Sequence, residues 1–563
     1  MVVRMNRKNN LRWVLLIFIT VLILLTKLFI DTRFYGHDTL FHAGNIIHLS
    51  KTISFFNVFG DNLISLSANS FGYGTWLFYP KFPHLFGSYI YLIFKNVYFS
   101  MNLVYFIISF LSGVVMYFLS KKLFSCSRVA FLSSLIYLTF SYHLCEIYIR
   151  DAFAENFMFL IIPMVFLSLY ELKSGNYSKF YALFISGYVI GMYSHLVTML
   201  FCTIFVFLFL IYYRKDFFVK EKLKCLIVST FIVVGLVCPF LTNILQHKMF
   251  GDYVVFTENF SNRNNVVLNI LPLESYFIHD KDFNYNNILV YFNYSTIILV
   301  VITFFLHLFK SYRKKFFETR KLLLYAILIF VMFISSEYFW QHTFDLFTMI
   351  QFPWRIMIFL CCVISLYAPV CFCYKMKNRK IYYLLYLIVV FIMIGEGVNN
   401  ISYYGNDEYS FEEISESGAV MGWQLEYLPV KVVDMSINHY GDYLNVREYQ
   451  FILSDSSVDL NIFEDSFPNI QFEVKNVDNY LLIEFPRIYY RGYALYDEKE
   501  EKISIFETDV GFLGAEISKD GIYSLKYVGT IYNRISNVIF LITIFGLFIW
   551  GGWFLWKRKK LLF

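Results

Sequence analysis

Charge is scarce in this chain. Asp, Glu, Lys and Arg make up 16% of its 563 residues, and the mean hydropathy is +0.54. A soluble globular protein carries roughly 25% charged residues. A chain with so few charges and 58% hydrophobic residues has lipid as its main solvent. Ionisable residues are rarest in the middles of the long apolar runs. Pumps and ion-coupled transporters need charges there, so their near-absence argues against that class. Polar residues along a path through the bilayer, which a flippase would use, are not seen either.

Cysteine is missing where an oxidising compartment would favour it. The nine cysteines are Cys126, Cys145, Cys202, Cys225, Cys238, Cys361, Cys362, Cys371 and Cys373, all in or beside apolar segments. None lies in the polar stretch 399–533, so disulfides do not staple it. Their spacing has no zinc signature, and Cys361-Cys362 and Cys371-x-Cys373 read as small packing residues. No P-loop, zinc-protease motif or nucleophile elbow is present, which leaves nucleotide-driven and protease chemistry without support. No nucleotide or haem is expected. The net charge of +6 reflects topology-setting loops and not nucleic-acid binding.

What is present is a series of apolar runs. Arg4, Arg7, Lys8 and Arg12 precede the run 13–30. That run exceeds the roughly 7–15 residues of a signal-peptide core and reads as a first span with its N-terminus inside. A long outer loop, 31–100, follows, with an interfacial or re-entrant stretch at 84–99 broken by Lys95. Further spans are expected at 102–120, 129–148 and 154–172, then a hairpin over 180–213 turning at Ser194-His195. The rest fall at 224–245, 288–309, 321–337, 356–374, 381–398 and 535–556. The basic clusters Lys121-Lys122, Lys310 with Arg313 to Lys315, Lys375 with Lys377 to Lys380, and Lys557 to Lys560 then fall on one side. The expectation is an all-α polytopic membrane protein of about 12 spans, both termini cytoplasmic, carrying a C-terminal extracytoplasmic β-rich domain. Residues 1–398 form the transmembrane domain, 399–533 the β-rich domain, and 534–563 the final span and basic tail. In 399–533, Asn469 to Lys475, Tyr480 to Phe485 and Ile488 to Tyr496 read as strands. The turns Pro468-Asn469, Val477 to Asn479, Arg491-Gly492 and Lys519 to Gly521 separate them in a small antiparallel sandwich.

Acidic residues gather at the expected outer ends of spans. Asp38 follows the first span, with His37 before it and His42 one helical turn on. A carboxylate at the water–lipid boundary can serve as a general base. It can equally be the N-cap of a helix over 39–50, and spacing alone leaves both readings open. Glu146, Arg150, Asp151 and Glu155 form a second cluster. Arg150 suits a phosphate, and Asp151 or Glu155 can orient a substrate or ligate a divalent cation; a loop ion pair with a helix-N-terminal acid fits the same residues. Arg355, in Gln351-Phe-Pro-Trp-Arg355, is either an interface anchor or a lipid-phosphate contact. His195, at the hairpin turn, is either a satisfied polar residue or a substrate contact. The loop Phe71-Gly-Tyr-Gly-Thr-Trp-Leu-Phe-Tyr-Pro80 can stack on sugars or prenyl chains, or simply pack.

Taken in order, Gly36-His-Asp-Thr-Leu-Phe-His42, the loop from Gly72 to Pro83, Arg150-Asp151 with Glu155, Gln351 to Arg355 and Tyr489-Tyr-Arg-Gly-Tyr493 resemble the GT-C glycosyltransferase superfamily. More narrowly they resemble the bacterial membrane proteins labelled "6-pyruvoyl-tetrahydropterin synthase-related" and the neighbouring YfhO-type proteins; nothing in the chain suggests pterin chemistry. The resemblance implies a polyprenyl-phosphate sugar donor, a cell-envelope or cell-wall glycan acceptor at the outer face, and Asp38 as catalytic base. It implies His37, His42, Arg150, Asp151, Glu155, His195 and Arg355 as substrate contacts. The superfamily often has two acids together in the first loop. Here His37 stands beside Asp38, so a divalent cation stays open. The rival readings are a non-catalytic envelope assembly or scaffold protein and a lipid-linked-glycan transporter.

Overall fold

The computed structural model describes residues 7–30, 36–55, 57, 59, 61–63, 70–258, 260, 266–277, 291–308, 317–342, 350–373, 378–402, 426–434 and 447–560. The expected basic residues Lys310, Arg313, Lys314, Lys315, Lys375 and Lys377 lie outside this set.

In chain order the helices are α1 (Arg7–Ile30), α2 (Thr39–Thr52), α3 (Thr75–Phe78), α4 (Phe82–Phe94), α5 (Val97–Phe124), α6 (Ser127–Thr139), α7 (Ser141–Tyr148), α8 (Phe153–Lys173), α9 (Tyr177–Met192) and α10 (Leu196–Tyr212). They continue as α11 (Arg214–Phe217), α12 (Lys220–Phe250), α13 (Tyr294–Leu308), α14 (Phe317–Ser335), α15 (Glu337–Gln341), α16 (Met357–Tyr367), α17 (Arg379–Ser402), α18 (Val430–Asp434) and α19 (Ile531–Lys560). Among the described residues, seven helices are long and apolar enough to cross a membrane, and eight if the bent pair α6–α7 counts as one. Four shorter apolar helices fall at Phe82–Phe94, Leu196–Tyr212, Tyr294–Leu306 and Lys321–Val331. Every expected span coincides with a helix or a helix pair. The stretch 84–99 breaks at Lys95, as expected: at φ 55° that residue separates α4 from α5, and the last three residues of the stretch begin the long helix α5. The 180–213 segment is the expected hairpin, α9 and α10 joined through Tyr193 to His195.

The chain divides into two compact units, and the division is not the continuous one expected. The first unit comprises residues 1–43, 82–230 and 264–410; the second comprises 44–81, 231–263 and 411–563. The outer loop therefore contributes to the same unit as the β-rich segment.

In the first unit the span expected at 129–148 breaks at Phe140, and its halves meet at 42°. The break strips backbone groups of helical partners inside apolar surroundings, where they must be satisfied locally. Asn293 does this with both ends of its amide. Its Oδ1 accepts from the Ser141 N–H at 3.0 Å and its Nδ2 donates to the Thr139 carbonyl at 3.0 Å. The Ser141 hydroxyl donates to the Tyr291 carbonyl, and the Tyr291 hydroxyl donates to Asn400 at 2.7 Å. The bend aims α7, and with it Glu146 and the turn at Arg150-Asp151.

In the second unit, two antiparallel sheets carry the strands β1 (Ile452–Leu453), β2 (Asp459–Ser466), β3 (Asn469–Lys475), β4 (Leu481–Ile488), β5 (Tyr493–Tyr496), β6 (Lys502–Ile503), β7 (Ile505–Glu507), β8 (Phe512–Ile517) and β9 (Gly521–Tyr527). The orders are β1-β4-β8-β7 and β2-β3-β9-β5-β6. In β3 the alternation is clean, with Ile470, Phe472 and Val474 buried. Loop residues Leu63, Phe71, Tyr73, Leu77 and Phe78 belong to the same core. The aromatic loop 71–80 thus packs. The Phe71 carbonyl accepts from the Ile488 N–H at 3.1 Å, and Gly74 sits so close to Tyr490 that a Cβ there would lie 2.6 Å from the ring.

Asn293→Ala frees a buried donor and a buried acceptor, each costing about 1–3 kcal/mol when unmet. We expect a fall in melting temperature of the detergent-solubilised protein.

Candidate functional site

The site is built on a main-chain contact between two distant segments of the first unit. The N–H groups of His37 and Asp38 donate to the carbonyls of Ile149 and Arg150 at 2.9 and 3.0 Å. Only glycine permits this approach at residue 36: a Cβ there would lie 2.5 Å from the Asp151 Cβ and 2.7 Å from the Ile149 carbonyl oxygen. The Gly36 N–H donates to the Thr39 hydroxyl at 2.7 Å, and that hydroxyl in turn donates to Asp151. The Tyr105 hydroxyl, from α5, donates to the other Asp151 oxygen. Asp151 holds φ 51°, a left-handed conformation that Asp tolerates better than most residues. Its carboxylate is a knot joining α2, α5 and the turn before α8. Burial raises its pKa to about 6, against the Thr39 and Tyr105 hydrogen bonds, with the Asp38 charge adding to the rise.

Next to this knot lies a chain of alternating charge. Arg150 reaches Glu146, one turn back, and Glu155 Oε2 at 3.1 Å. Arg355 Nε stands 3.2 Å from the same Glu155 oxygen, while its Nη1 donates to the Ile350 carbonyl at 2.9 Å and to Gln351 at 3.1 Å. Tyr142 donates to Glu155 Oε1 at 3.4 Å. Glu155 occupies the first turn of α8, where the helix dipole favours an anion. Arg150 is thereby held between two acids and Arg355 against one acid, a carbonyl and an amide, as charges in a low-dielectric setting must be.

Asp38 is placed differently. It is half-buried at the start of α2, and among the described residues no hydrogen bond or ion pair engages its carboxylate. Asp38 holds the position just before α2, its carbonyl accepting from the His42 N–H at 3.0 Å, but among the described residues its side chain takes no hydrogen bond from the N–H groups of Leu40 or Phe41. Burial pushes the Asp38 carboxyl above the usual range. Arg150, then His37 and Arg355, pull it back, and Glu155 pushes it further up. Asp38 is thus a carboxyl without a hydrogen-bond or ion-pair partner among the described residues, within electrostatic reach of two arginines.

The histidines surround this centre. His37 is exposed, with its ring lowered first by burial and then by Arg150, against the pull of Asp38. His42 Nδ1 lies 2.8 Å from His84 Nε2, and both rings are buried against Phe153. Burial, then His84, Arg150 and His195, holds His42 well below its ordinary pKa. His195 caps α10, its Nδ1 accepting from the Thr198 N–H at 3.3 Å. Burial lowers it to about 4, opposed by Glu155.

Asp38, His37, His42, Arg150, Asp151, Glu155, His195 and Arg355 therefore meet in one electrostatic neighbourhood. The sequence reading missed Thr39, Tyr105, Tyr142 and His84, which hold that neighbourhood in place. Only Thr39, inside the Gly36–His42 motif, had a sequence signal. Among the described residues no group of three or more His, Cys, Asp or Glu could hold a metal ion.

Gly36→Ala would drive a methyl group into the Ile149–Asp151 backbone. We expect a loss of about 1–3 kcal/mol or more, as for overpacked cores, read as a lower melting temperature. Asp38→Asn should do the opposite. A carboxyl whose pKa is raised on folding destabilises the fold once ionised, so stability falls as pH rises through the window above its ordinary value. Removing it is expected to raise the melting temperature at neutral pH, and the gain should vanish at acidic pH.

No known family profile matches the chain, and no curated protein matches it. Among solved structures it is similar to the apo crystal structure of the Archaeoglobus fulgidus oligosaccharyltransferase. That match has 14% identity and a TM-score of 0.44, over 72% of this chain and 57% of that one. It is also similar to the archaeal oligosaccharyltransferase AglB from Archaeoglobus fulgidus in complex with an inhibitory peptide and a dolichol-phosphate. There the identity is 13% and the TM-score 0.45, over 70% of this chain and 56% of that one. The chain spans somewhat more than half the length of both.

Proposed function

We propose that this chain is a GT-C-type membrane glycosyltransferase. It moves a sugar from a polyprenyl-phosphate donor to a hydroxyl of a cell-envelope glycan or polymer at the extracytoplasmic face. The observation that carries this reading is the half-buried Asp38 carboxylate, without a hydrogen-bond or ion-pair partner among the described residues and within electrostatic reach of Arg150 and Arg355, whose own charges Glu146 and Glu155 hold in place.

The chemistry follows from those charges. Asp38 accepts the proton of the acceptor hydroxyl as its oxygen forms a bond to the anomeric carbon. The bond from that carbon to the phosphate oxygen breaks, and the phosphate leaves on its lipid. Arg150 and Arg355 stabilise the charge that develops on the leaving group, already oriented and therefore without reorganisation. A single displacement inverts the anomeric centre. Asp151, with both oxygens satisfied by Thr39 and Tyr105, is a positioning residue for Asp38 and not a substrate contact.

The test compares envelope glycans of cells lacking the protein after complementation with wild type or Asp38→Asn at matched expression. Loss of the base should cost about 10²–10⁴-fold in transfer. A sugar modification restored by wild type alone supports the reading; equal restoration by both removes Asp38 from catalysis. No change on deletion points to the scaffold or transport alternatives. In vitro, transfer should decline on the acid side at a pH above the ordinary Asp range, because Asp38 must be ionised to accept a proton.

A further inference from the structure

Away from the charged cluster, at the start of α6, two cysteine thiols of the first unit meet. Cys126 closes the turn between α5 and α6 and stands in extended conformation just before α6. Cys373 ends the 3₁₀ turn Ala368–Cys373, which packs on α6 and completes the span Pro353–Cys373. The Cys373 thiol hydrogen-bonds to the Cys126 sulfur. Both are free thiols and both are half-buried. The other cysteines are placed differently. Five of them are buried. Cys238 lies 3.8 Å from the Thr242 hydroxyl, and Cys371 donates to the Ala368 carbonyl at 3.5 Å.

The surroundings of Cys126 favour its thiolate. Its sulfur faces the N–H groups of Arg128 and Val129 in the first turn of α6, at a longer range than a formed capping hydrogen bond. A helix N-terminus and a neighbouring arginine both stabilise a thiolate. Arg128 is held in place. Its Nη1 donates to the Tyr383 hydroxyl at 2.7 Å, and its guanidinium lies 5.1 and 5.2 Å from the ring centres of Tyr382 and Tyr383. Among the described residues no acid pairs with it, so its charge bears on the sulfur. Tyr382 donates to the Phe372 carbonyl at 2.9 Å and Tyr386 to the Arg128 carbonyl at 3.2 Å. One face of α17 thereby braces both cysteine-bearing turns. The Cys126 thiol is lowered to about 5, first by the Cys373 hydrogen bond, against burial, and then by the two N–H groups and the Arg128 charge.

We propose that Cys126 and Cys373 are a peroxide-reactive thiol pair, in which Cys126 is the attacking sulfur and Cys373 closes a reversible disulfide. An accessible thiolate beside a resolving thiol is the arrangement such chemistry needs. The Cys126 thiolate attacks one oxygen of hydrogen peroxide. The O–O bond breaks, a sulfenic acid forms on Cys126, and the released hydroxide takes up a proton. The Cys373 sulfur then loses its proton and attacks the Cys126 sulfur. The S–O bond breaks and a second water leaves. The sulfurs are oxidised and the peroxide is reduced. Sulfurs already at hydrogen-bonding range need only a local approach to reach the roughly 2.05 Å of a disulfide. Lys121 and Lys122 lie at the same end of α5, the expected cytoplasmic side, where reductants return disulfides to thiols. The bond joins two elements whose far ends lead to Arg150 and Arg355. The inference is independent of the glycosyltransferase reading.

The experiment uses the full-length protein in detergent, reduced and then exposed to hydrogen peroxide. Remaining thiols are alkylated and the peptides read by mass spectrometry. Wild type should lose alkylation at Cys126 and Cys373 together and yield their cross-linked peptide, and dithiothreitol should restore both thiols. Cys373→Ser should lose the cross-link and carry a sulfenic acid on Cys126, trapped by dimedone. Cys126→Ser should lose the cross-link and show no dimedone adduct on Cys373. Alanine at either position gives the same readout if a serine variant does not fold. The proposal is overturned if both thiols of wild type stay alkylatable at a peroxide level that oxidises glutathione. A cross-link between other cysteines overturns it as well. Dimedone trapping on Cys373 in Cys126→Ser, with none on Cys126 in Cys373→Ser, overturns the assigned roles.

Discussion

Two main-chain hydrogen bonds, from His37 and Asp38 to Ile149 and Arg150, are the constraint on which the candidate site depends. They set the register of residues more than a hundred positions apart, and they form only because residue 36 has no Cβ. With that register fixed, Thr39 reaches Asp151, Tyr105 completes its hydrogen bonding, and the Asp38 carboxylate comes to face Arg150. The bend at Phe140, clamped by Asn293, supplies the other half of the alignment by directing α7 to its end at Tyr148. Backbone geometry, and not side-chain pairing alone, therefore sets where the charges stand.

The charges are then balanced unequally. Glu146, Arg150, Glu155 and Arg355 form a linear alternation in which each arginine has an acid and Glu155 serves both. Separately, Asp151 is satisfied by two hydroxyls. Asp38 alone among the acids of this centre has no hydrogen-bond or ion-pair partner among the described residues. Burial without a partner raises a carboxyl's proton affinity, and a raised proton affinity is what a general base uses.

Much of this was legible in the sequence for reasons of simple solvation. Apolar runs long enough to span a bilayer marked the helices, and period-two alternation marked β3 and β4, with Pro468-Asn469, Arg491-Gly492 and Lys519 to Gly521 lying at the turns between strands. Acids and arginines outside the apolar middles marked the candidate site, and His195 at the hairpin turn fell among them. The aromatic loop 71–80 was legible as apolar but not as to its destination. Its residues enter the core of the β-sandwich, and nothing in their own spacing says so.

The sequence by itself determined that the chain belongs in lipid, where its helices fall, that a β-rich segment stands near its end, and which charged residues were available. Each of these follows from local composition and periodicity, which neighbouring residues settle among themselves. The tertiary structure decided that residues 44–81 and 231–263 join the β-rich unit and that, among the described residues, the Asp38 side chain makes no capping hydrogen bond to α2. It also decided that Asp151 is held by Thr39 and Tyr105 while Asp38 has no such partner among the described residues, and that His42 meets His84. These depend on contacts between segments tens to hundreds of residues apart. Hydrogen-bond partnership over such separations is settled by packing, which no local pattern records.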